Sequence, residues 1–114
     1  MRLEVLDRGE TNVWIRLEGR LDLKGVEEIE LLFTVKAGRA GKPVVVDLGA
    51  VSFVGSLAIG MFVAAARTLG LSGFRMVLFG ATPHIEDVLG IAGLGQVATI
   101  VATEDEARAA TAAA

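Results

Sequence analysis

The chain has 114 residues, no cysteine and a formal net charge of −3, with charges of both signs scattered along it. This length suits one domain with one core, and a hydrophobic content of 53% excludes a disordered chain. The lack of cysteine excludes disulfides, thiol catalysis and cysteine-ligated metals, and the absence of a basic stripe argues against nucleic-acid binding.

Strand and helix patterns alternate along the chain. The strand patterns have a period of two or are continuously apolar, and the helix patterns follow a spacing of three and four. The predicted elements are strands at 3–6 and 12–19, a helix after Asp22, a loop at 37–43, a strand at 44–48, a helix from Ser56 to about Leu69, a strand at 75–80, a helix from Pro83, a strand at 96–102 and a helix after Thr103.

This order, β-β-α-β-α-β-α-β-α, predicts one α/β domain over residues 1–114. Strands that alternate with helices need parallel crossovers, and the initial hairpin adds an antiparallel edge. We therefore expect a mixed, mostly parallel central sheet with helices packed around it. Residues 108–114 are expected to be a frayed tail.

Local chemistry marks several helix ends. Asp22 and Thr103 are predicted N-caps, and Thr103 forms a capping box with Glu106. Gly70 is expected to end the helix that starts at Ser56.

Trp14 falls on the polar side of its strand, so it is interpreted either as a rim aromatic that covers a neighbour or as an anchor for a partner.

The segment VSFVGSLAIGMFV, residues 51–63, predicts a buried helix rather than a membrane span. The apolar run from 51 to 66 is broken by serine and glycine, and it is short for a span of about 20 residues. The N-terminus lacks the apolar core of a signal peptide. We therefore expect a cytoplasmic protein that does not insert into a membrane.

The sequence offers little for catalysis or cofactor binding. GLGQVA at 93–98 follows a helix and precedes a strand, the reverse of a dinucleotide fingerprint, and GRAGKP at 38–43 ends in proline where a phosphate loop needs Ser or Thr. His84, the only histidine, is interpreted as a solvated surface residue, since a metal site needs more ligands. The flank of Ser56 lacks the G-x-S-x-G elbow of hydrolases. We expect no enzyme and no catalytic, metal-binding or cofactor-binding residues.

Three stretches, taken in their order and spacing, carry a family resemblance. They are LEGRLD at 17–22, VVVDLGAVSFVGSLAIGMFVAA at 44–65 and SGFRMVLFGATPHIEDVLGIAGLGQVATIVATEDEA at 72–107. Together they resemble the STAS domain of bacterial anti-sigma-factor antagonists over nearly the whole chain. The resemblance implies a small mixed α/β domain with a regulatory role.

The resemblance also implies a protein partner. In such antagonists, the partner is a GHKL-type kinase that doubles as an anti-sigma factor, and binding frees the sigma factor. The kinase phosphorylates a hydroxyl at the start of the apolar helix and so releases the antagonist. An alternative within the same fold is a STAS subunit of a lipid-transport ATP-binding-cassette complex or a stressosome-type scaffold. Homo-oligomerisation is left open.

The phosphorylation motif of the family is incomplete here. The family motif reads Asp-Ser-Ser/Thr-Gly-Leu, with the second hydroxyl as acceptor, and Gly55, Ser56, Leu57 and Ala58 stand at its first four positions. The acid and the acceptor hydroxyl are both missing, so phosphorylation control is expected to be lost or altered. Asp22 matches the acid that closes the family motif G-x-L-D. These five residues form the implied partner-binding set.

Ser56 leaves three interpretations open. It is an N-cap of the apolar helix, a displaced phosphorylation site, or a nucleophile. If Ser56 only caps the helix, its replacement by alanine costs about 1 kcal/mol of stability.

Overall fold

The structure is a computed structural model, and it describes residues 1–112. Five strands and four α-helices follow the predicted order. They are β1 (Arg2–Leu6), β2 (Val13–Leu21), α1 (Leu23–Phe33), β3 (Val44–Val54), α2 (Ser56–Leu71), β4 (Met76–Phe79), α3 (Pro83–Ile91), β5 (Thr99–Val101) and α4 (Glu104–Ala112). The predicted succession of strands and helices is therefore confirmed.

All five strands lie in one sheet, in the spatial order β1-β2-β3-β4-β5. β1 pairs antiparallel with β2, and every other pairing is parallel. This confirms the mixed, mostly parallel sheet. β3 extends to Val54, well beyond the strand predicted at 44–48, and its far end lies opposite the end of β2, with Leu21 paired to Val54.

The main core lies between one face of the sheet and helices α1, α2 and α3. Side chains that alternate along the strands, such as Ile15 and Val46, meet Phe33 of α1 and Phe62 of α2 there, and all four are fully buried. The two phenylalanine rings meet edge to face, with centroids 5.5 Å apart. This aromatic contact joins α1 to α2 and fixes their spacing over the sheet.

Helix α4 covers the opposite face and forms a smaller core there, which corrects both interpretations of Trp14. Trp14 is only 3% exposed, and it packs with Phe79 at a centroid distance of 6.1 Å and with Ala107 of α4. It is therefore neither a rim aromatic nor an anchor for a partner. The alternation at 12–19 indicates a solvated side, but a helix more than 80 residues later in the chain covers part of that side.

Two predicted helix ends are wrong. The helix that starts at Leu23 continues beyond Phe33 as a π-helical turn over Thr34–Gly38, so the first residues of the predicted loop at 37–43 are helical, and Ala37 is buried. Helix α2 runs past Gly70 to Leu71. The chain reverses at Gly73, where φ is +84°, and the Gly73 amide donates to the Gly70 carbonyl at 2.9 Å. The left-handed conformation needed at a helix end thus falls on the later glycine.

Helix α4 begins as the sequence predicts and extends further than expected. The Thr103 hydroxyl accepts from the Glu106 amide at 3.2 Å, which confirms Thr103 as the N-cap. Residues 108–112 of the tail predicted to fray continue the helix, and residues 113 and 114 lie outside the described part of the chain.

His84 is exposed, as predicted. Over residues 1–112, no helix combines the length and apolarity that a membrane crossing needs.

Candidate functional site

The parallel pairing of β2 with β3 brings two distant parts of the sequence together. β2 ends at Leu21 and β3 at Val54 on the same edge of the sheet, and the Gly55 amide donates to the Leu21 carbonyl at 3.0 Å. Helices α1 and α2 start immediately after these strands. Asp22 and Ser56, both members of the predicted partner-binding set, therefore lie at neighbouring helix N-termini.

A cleft opens between these two helix starts. Its volume is about 240 Å³, and it is called the α1–α2 cleft below. The lining is largely apolar. It consists of Leu21, Asp22, Leu23, Phe53, Gly55, Ser56 and Leu57. Three of its large apolar side chains are notably exposed, with Leu23 at 59%, Leu57 at 54% and Phe53 at 39%.

Asp22 is the acidic group of the cleft, and its N-cap role is confirmed. Its Oδ1 accepts from the Gly25 amide at 2.9 Å, and its Oδ2 lies 3.5 Å from Nε of Arg20. The hydrogen bond from the Gly25 amide, aided by the Arg20 guanidinium, holds the pKa of the Asp22 carboxyl below its usual value. Asp22 is therefore ionised near neutral pH, and one carboxylate oxygen is committed to the start of α1.

Phe53 and Arg20 belong to the site although the sequence patterns did not select them. The Arg20 guanidinium lies 4.6 Å from the centroid of the Phe53 ring. A register shift between Gly19 and Arg20 brings Arg20 opposite Phe53 in the β2–β3 pairing. The shift breaks the period of two that sequence reasoning relies on, so no sequence signal placed these two side chains at the cleft.

Gly55 gives the Phe53 ring its position. A Cβ atom at Gly55 would lie 3.3 Å from Cε2 of Phe53, which is tighter than an ordinary van der Waals contact. A larger residue here would push the ring away from the start of α2. The position of the Phe53 ring therefore depends on the absence of a side chain at Gly55.

Ser56 is not the N-cap of α2, which corrects the first of its three interpretations. Gly55 occupies the cap position with an extended backbone, and no side chain bonds to the free amides of the first turn. Ser56 is the first helical residue, and it is exposed. The Ser56 hydroxyl therefore contributes no capping hydrogen bond, and the cost of about 1 kcal/mol attached to that role does not apply.

The Ser56→Ala variant is accordingly expected to change the free energy of unfolding by less than about 0.5 kcal/mol. Thr82→Ala provides the matched control, because the Thr82 hydroxyl does cap α3 by accepting from the Ile85 amide at 3.3 Å. That variant is expected to lose about 1 kcal/mol. Urea denaturation of the two variants beside the parent measures both values. An equal loss in both variants would contradict the assignment of Gly55 as an unassisted cap.

The two remaining residues of the set have opposite environments. Leu57 projects from the first turn of α2 with 54% of its surface exposed. Ala58 is fully buried in the main core, so it packs beneath the cleft and offers no surface to a partner. Within the predicted set, Ser56 and Leu57 are therefore exposed, and Asp22 and Gly55 are half-buried.

The α1–α2 cleft contains few polar groups beside its apolar side chains. Ser56 has no histidine beside it, since the only histidine of the chain, His84, does not line the cleft. Within residues 1–112, no three His, Asp or Glu side chains gather in a way that could hold a metal ion. What the cleft offers is exposed apolar surface bordered by one carboxylate and one guanidinium.

Comparisons of this chain with protein families, with known sequences and with solved structures find similar proteins. The STAS domain family model matches residues 3–107. The anti-sigma-B factor antagonist of Listeria monocytogenes is 26% identical over 104 residues, which cover 91% of each chain. An anti-sigma-factor antagonist (STAS) domain protein from Planctomyces limnophilus is 24% identical, with a TM-score of 0.83 over 96% of each chain. The phosphorylated form of the Bacillus cell fate determinant SpoIIAA is 25% identical, with a TM-score of 0.68 over 93% of this chain and 96% of that one.

Proposed function

The chain belongs to the STAS domain family, and from this membership we propose that it is an anti-sigma-factor antagonist. In this proposal it binds a GHKL-type anti-sigma kinase in the cytoplasm and thereby frees a sigma factor. The role is that of a binding protein without catalytic activity. The Listeria relative, which spans the same length, carries the name of such an antagonist.

The observation that carries the proposal is the exposed apolar surface at the α1–α2 cleft. Leu23, Phe53 and Leu57 are each more than one-third exposed and line one depression. Clustered apolar side chains with a polar rim are typical of protein-binding sites, where a few such residues supply most of the affinity. Asp22 and Arg20 provide charged groups at the rim that can select the orientation of the partner.

We further propose that binding is not switched off by phosphorylation of the usual kind. The structural relative SpoIIAA exists in a phosphorylated form. A phosphoryl group adds about −1.5 to −2 charge and would oppose an apolar interface at this place. Leu57 stands at the acceptor position and has no hydroxyl, so a kinase that modifies only this position cannot add a charge to the cleft.

The phosphorylation proposal predicts an unmodified protein. After incubation with the cognate kinase and ATP, intact-mass analysis should detect no added phosphoryl group on the parent chain. Leu57→Ser restores a hydroxyl at the acceptor position and is expected to gain one phosphoryl group. A phosphorylated parent would contradict the proposal, and loss of that modification in Ser56→Ala would identify Ser56 as a displaced acceptor.

The partner itself can be identified by affinity capture from the native cytoplasm with a tagged chain. Recovery of a GHKL-type kinase or anti-sigma factor supports the proposed function, provided that Leu57→Glu fails to recover it. Recovery of transporter subunits or of a large scaffold in its place would overturn the sigma-related function and favour the alternative within the same fold. The capture therefore separates the two functions by the identity of the partner.

A further inference from the structure

A second cavity lies on the other face of the sheet, beside the only tryptophan of the chain. Its volume is about 430 Å³, within the range of roughly 300–1,000 Å³ that is common for small-ligand sites. Three separate segments converge on it: the β1–β2 loop, the start of β2 and α4. The lining of this Trp14 cavity consists of Arg8, Thr11, Asn12, Trp14, Arg108 and Thr111.

The lining contains two cations and no carboxylate. The guanidinium carbons of Arg8 and Arg108 lie 5.2 and 4.8 Å from the centroid of the Trp14 ring. The ring therefore helps to hold both arginines in place through cation–π contacts. The other lining residues are neutral, and their side chains carry hydroxyl or amide groups that can hydrogen-bond to a ligand.

Glu104 positions the two arginines without lining the cavity. Nη1 of Arg8 donates to Oε1 of Glu104 at 2.9 Å, and Nη2 of Arg108 donates to Oε2 at 3.2 Å. Each carboxylate oxygen thus serves one arginine. Because a guanidinium has five N–H donors, most donors of Arg8 and Arg108 remain for other partners. These three side chains together carry two positive charges and one negative charge.

We propose that the Trp14 cavity binds a small organic anion whose phosphate or carboxylate group is held between Arg8 and Arg108. Paired guanidinium groups match the geometry of such oxyanions and bind them through charge-assisted hydrogen bonds. Asn12 and Thr11 supply neutral polar contacts to the rest of the ligand. The cavity is much larger than an inorganic phosphate needs, which is why the ligand is an organic molecule.

This site is separate from the α1–α2 cleft. Trp14 lies at the start of β2 and Asp22 follows its end, so about eight strand residues, or roughly 26 Å, separate them. The α1–α2 cleft also lies beside helices that cover one face of the sheet, whereas the Trp14 cavity lies beside α4, which covers the opposite face. The proposal therefore does not depend on the proposed function, and either one can fail without the other.

Fluorescence titration tests the proposal directly, because Trp14 is the only tryptophan. Glycerol phosphate and succinate serve as phosphate and carboxylate probes, and sodium chloride at the same ionic strength serves as the blank. We expect a saturable change in Trp14 emission with at least one of the two probes. If neither probe changes Trp14 emission more than sodium chloride does, the proposal is overturned.

Two variants test the geometry. Arg108→Gln is expected to weaken binding of the responding probe at least about tenfold, whereas Arg67→Gln, the same change at an exposed arginine of α2, should leave it unchanged. Asn12→Asp places a carboxylate in the lining with almost no change in shape and should abolish the response, with Gln96→Glu as its remote control. A parent-like response in Asn12→Asp would overturn the site even if Arg108→Gln disturbs the packing of α4.

Discussion

Replacing Gly25 with alanine is expected to lower the free energy of unfolding by about 3 kcal/mol, the largest stability effect that we predict for one added methyl group. A Cβ atom at this position would lie 2.0 Å from the carbonyl oxygen of Arg20 and 3.3 Å from Oδ1 of Asp22. The first of these neighbours is backbone and cannot rotate away. The start of α1 must therefore move off the end of β2, and the Asp22 cap is strained with it.

Urea denaturation followed by Trp14 fluorescence measures this loss. Gly60→Ala is the matched control, since Gly60 is an exposed position within α2 where an added Cβ meets nothing within 4 Å. Alanine is favoured over glycine inside a helix by about 0.5–1 kcal/mol, so this variant should gain stability. The same substitution is thus expected to have opposite signs at the two sites. Equal effects would show that the close approach at Gly25 is not a real constraint.

The proposed function predicts that replacing Leu57 with glutamate weakens binding of the proposed anti-sigma-factor partner by about 100-fold, which corresponds to about 2.7 kcal/mol. The substitution removes an apolar contact and places a charge in the α1–α2 cleft, where it must lose water on docking. More than half of the Leu57 side chain faces solvent in the free protein. The fold of the variant is therefore expected to stay intact, so any loss of affinity belongs to the interface.

Calorimetric titration against the purified partner that affinity capture identifies measures this effect. Leu71→Glu is the matched control, because Leu71 is also an exposed leucine of α2, 89% exposed, at the opposite end of the helix. It should bind as the parent does. If Leu71→Glu weakens binding as much as Leu57→Glu, the docking surface lies along α2 and not at the cleft.

The order of the elements could be predicted because it depends on local patterns. Continuous apolar runs identified the buried strands β3 and β4, and the side chains of Asp22 and Thr103 marked helix starts through hydrogen bonds within three residues. Such signals are complete within a short window of sequence. The proximity of Asp22 to Ser56 was not predicted from these patterns, and it follows from the parallel pairing of β2 with β3 in the structure.

The parts that sequence reasoning missed depend on distant contacts. Trp14 is buried because α4 returns over β2, and no residue near Trp14 encodes that return. Phe53 and Arg20 face each other because of a register shift, which pattern matching cannot detect. The cap of α2 falls on Gly55 rather than on Ser56, a difference of one residue that the preference for serine at N-caps obscured.

The five strands lie side by side in the sheet in the same order in which they occur in the sequence. This order has a consequence for how the protein folds as it is synthesised. Each new strand from β2 to β5 pairs with the strand made just before it, so its docking edge already exists when it leaves the ribosome. The face that holds Trp14 differs, because α4 is the last described element to be made. We therefore expect Trp14 to stay hydrated until α4 has been made and has docked, so that Trp14 emission reports this late packing step rather than the pairing of the strands.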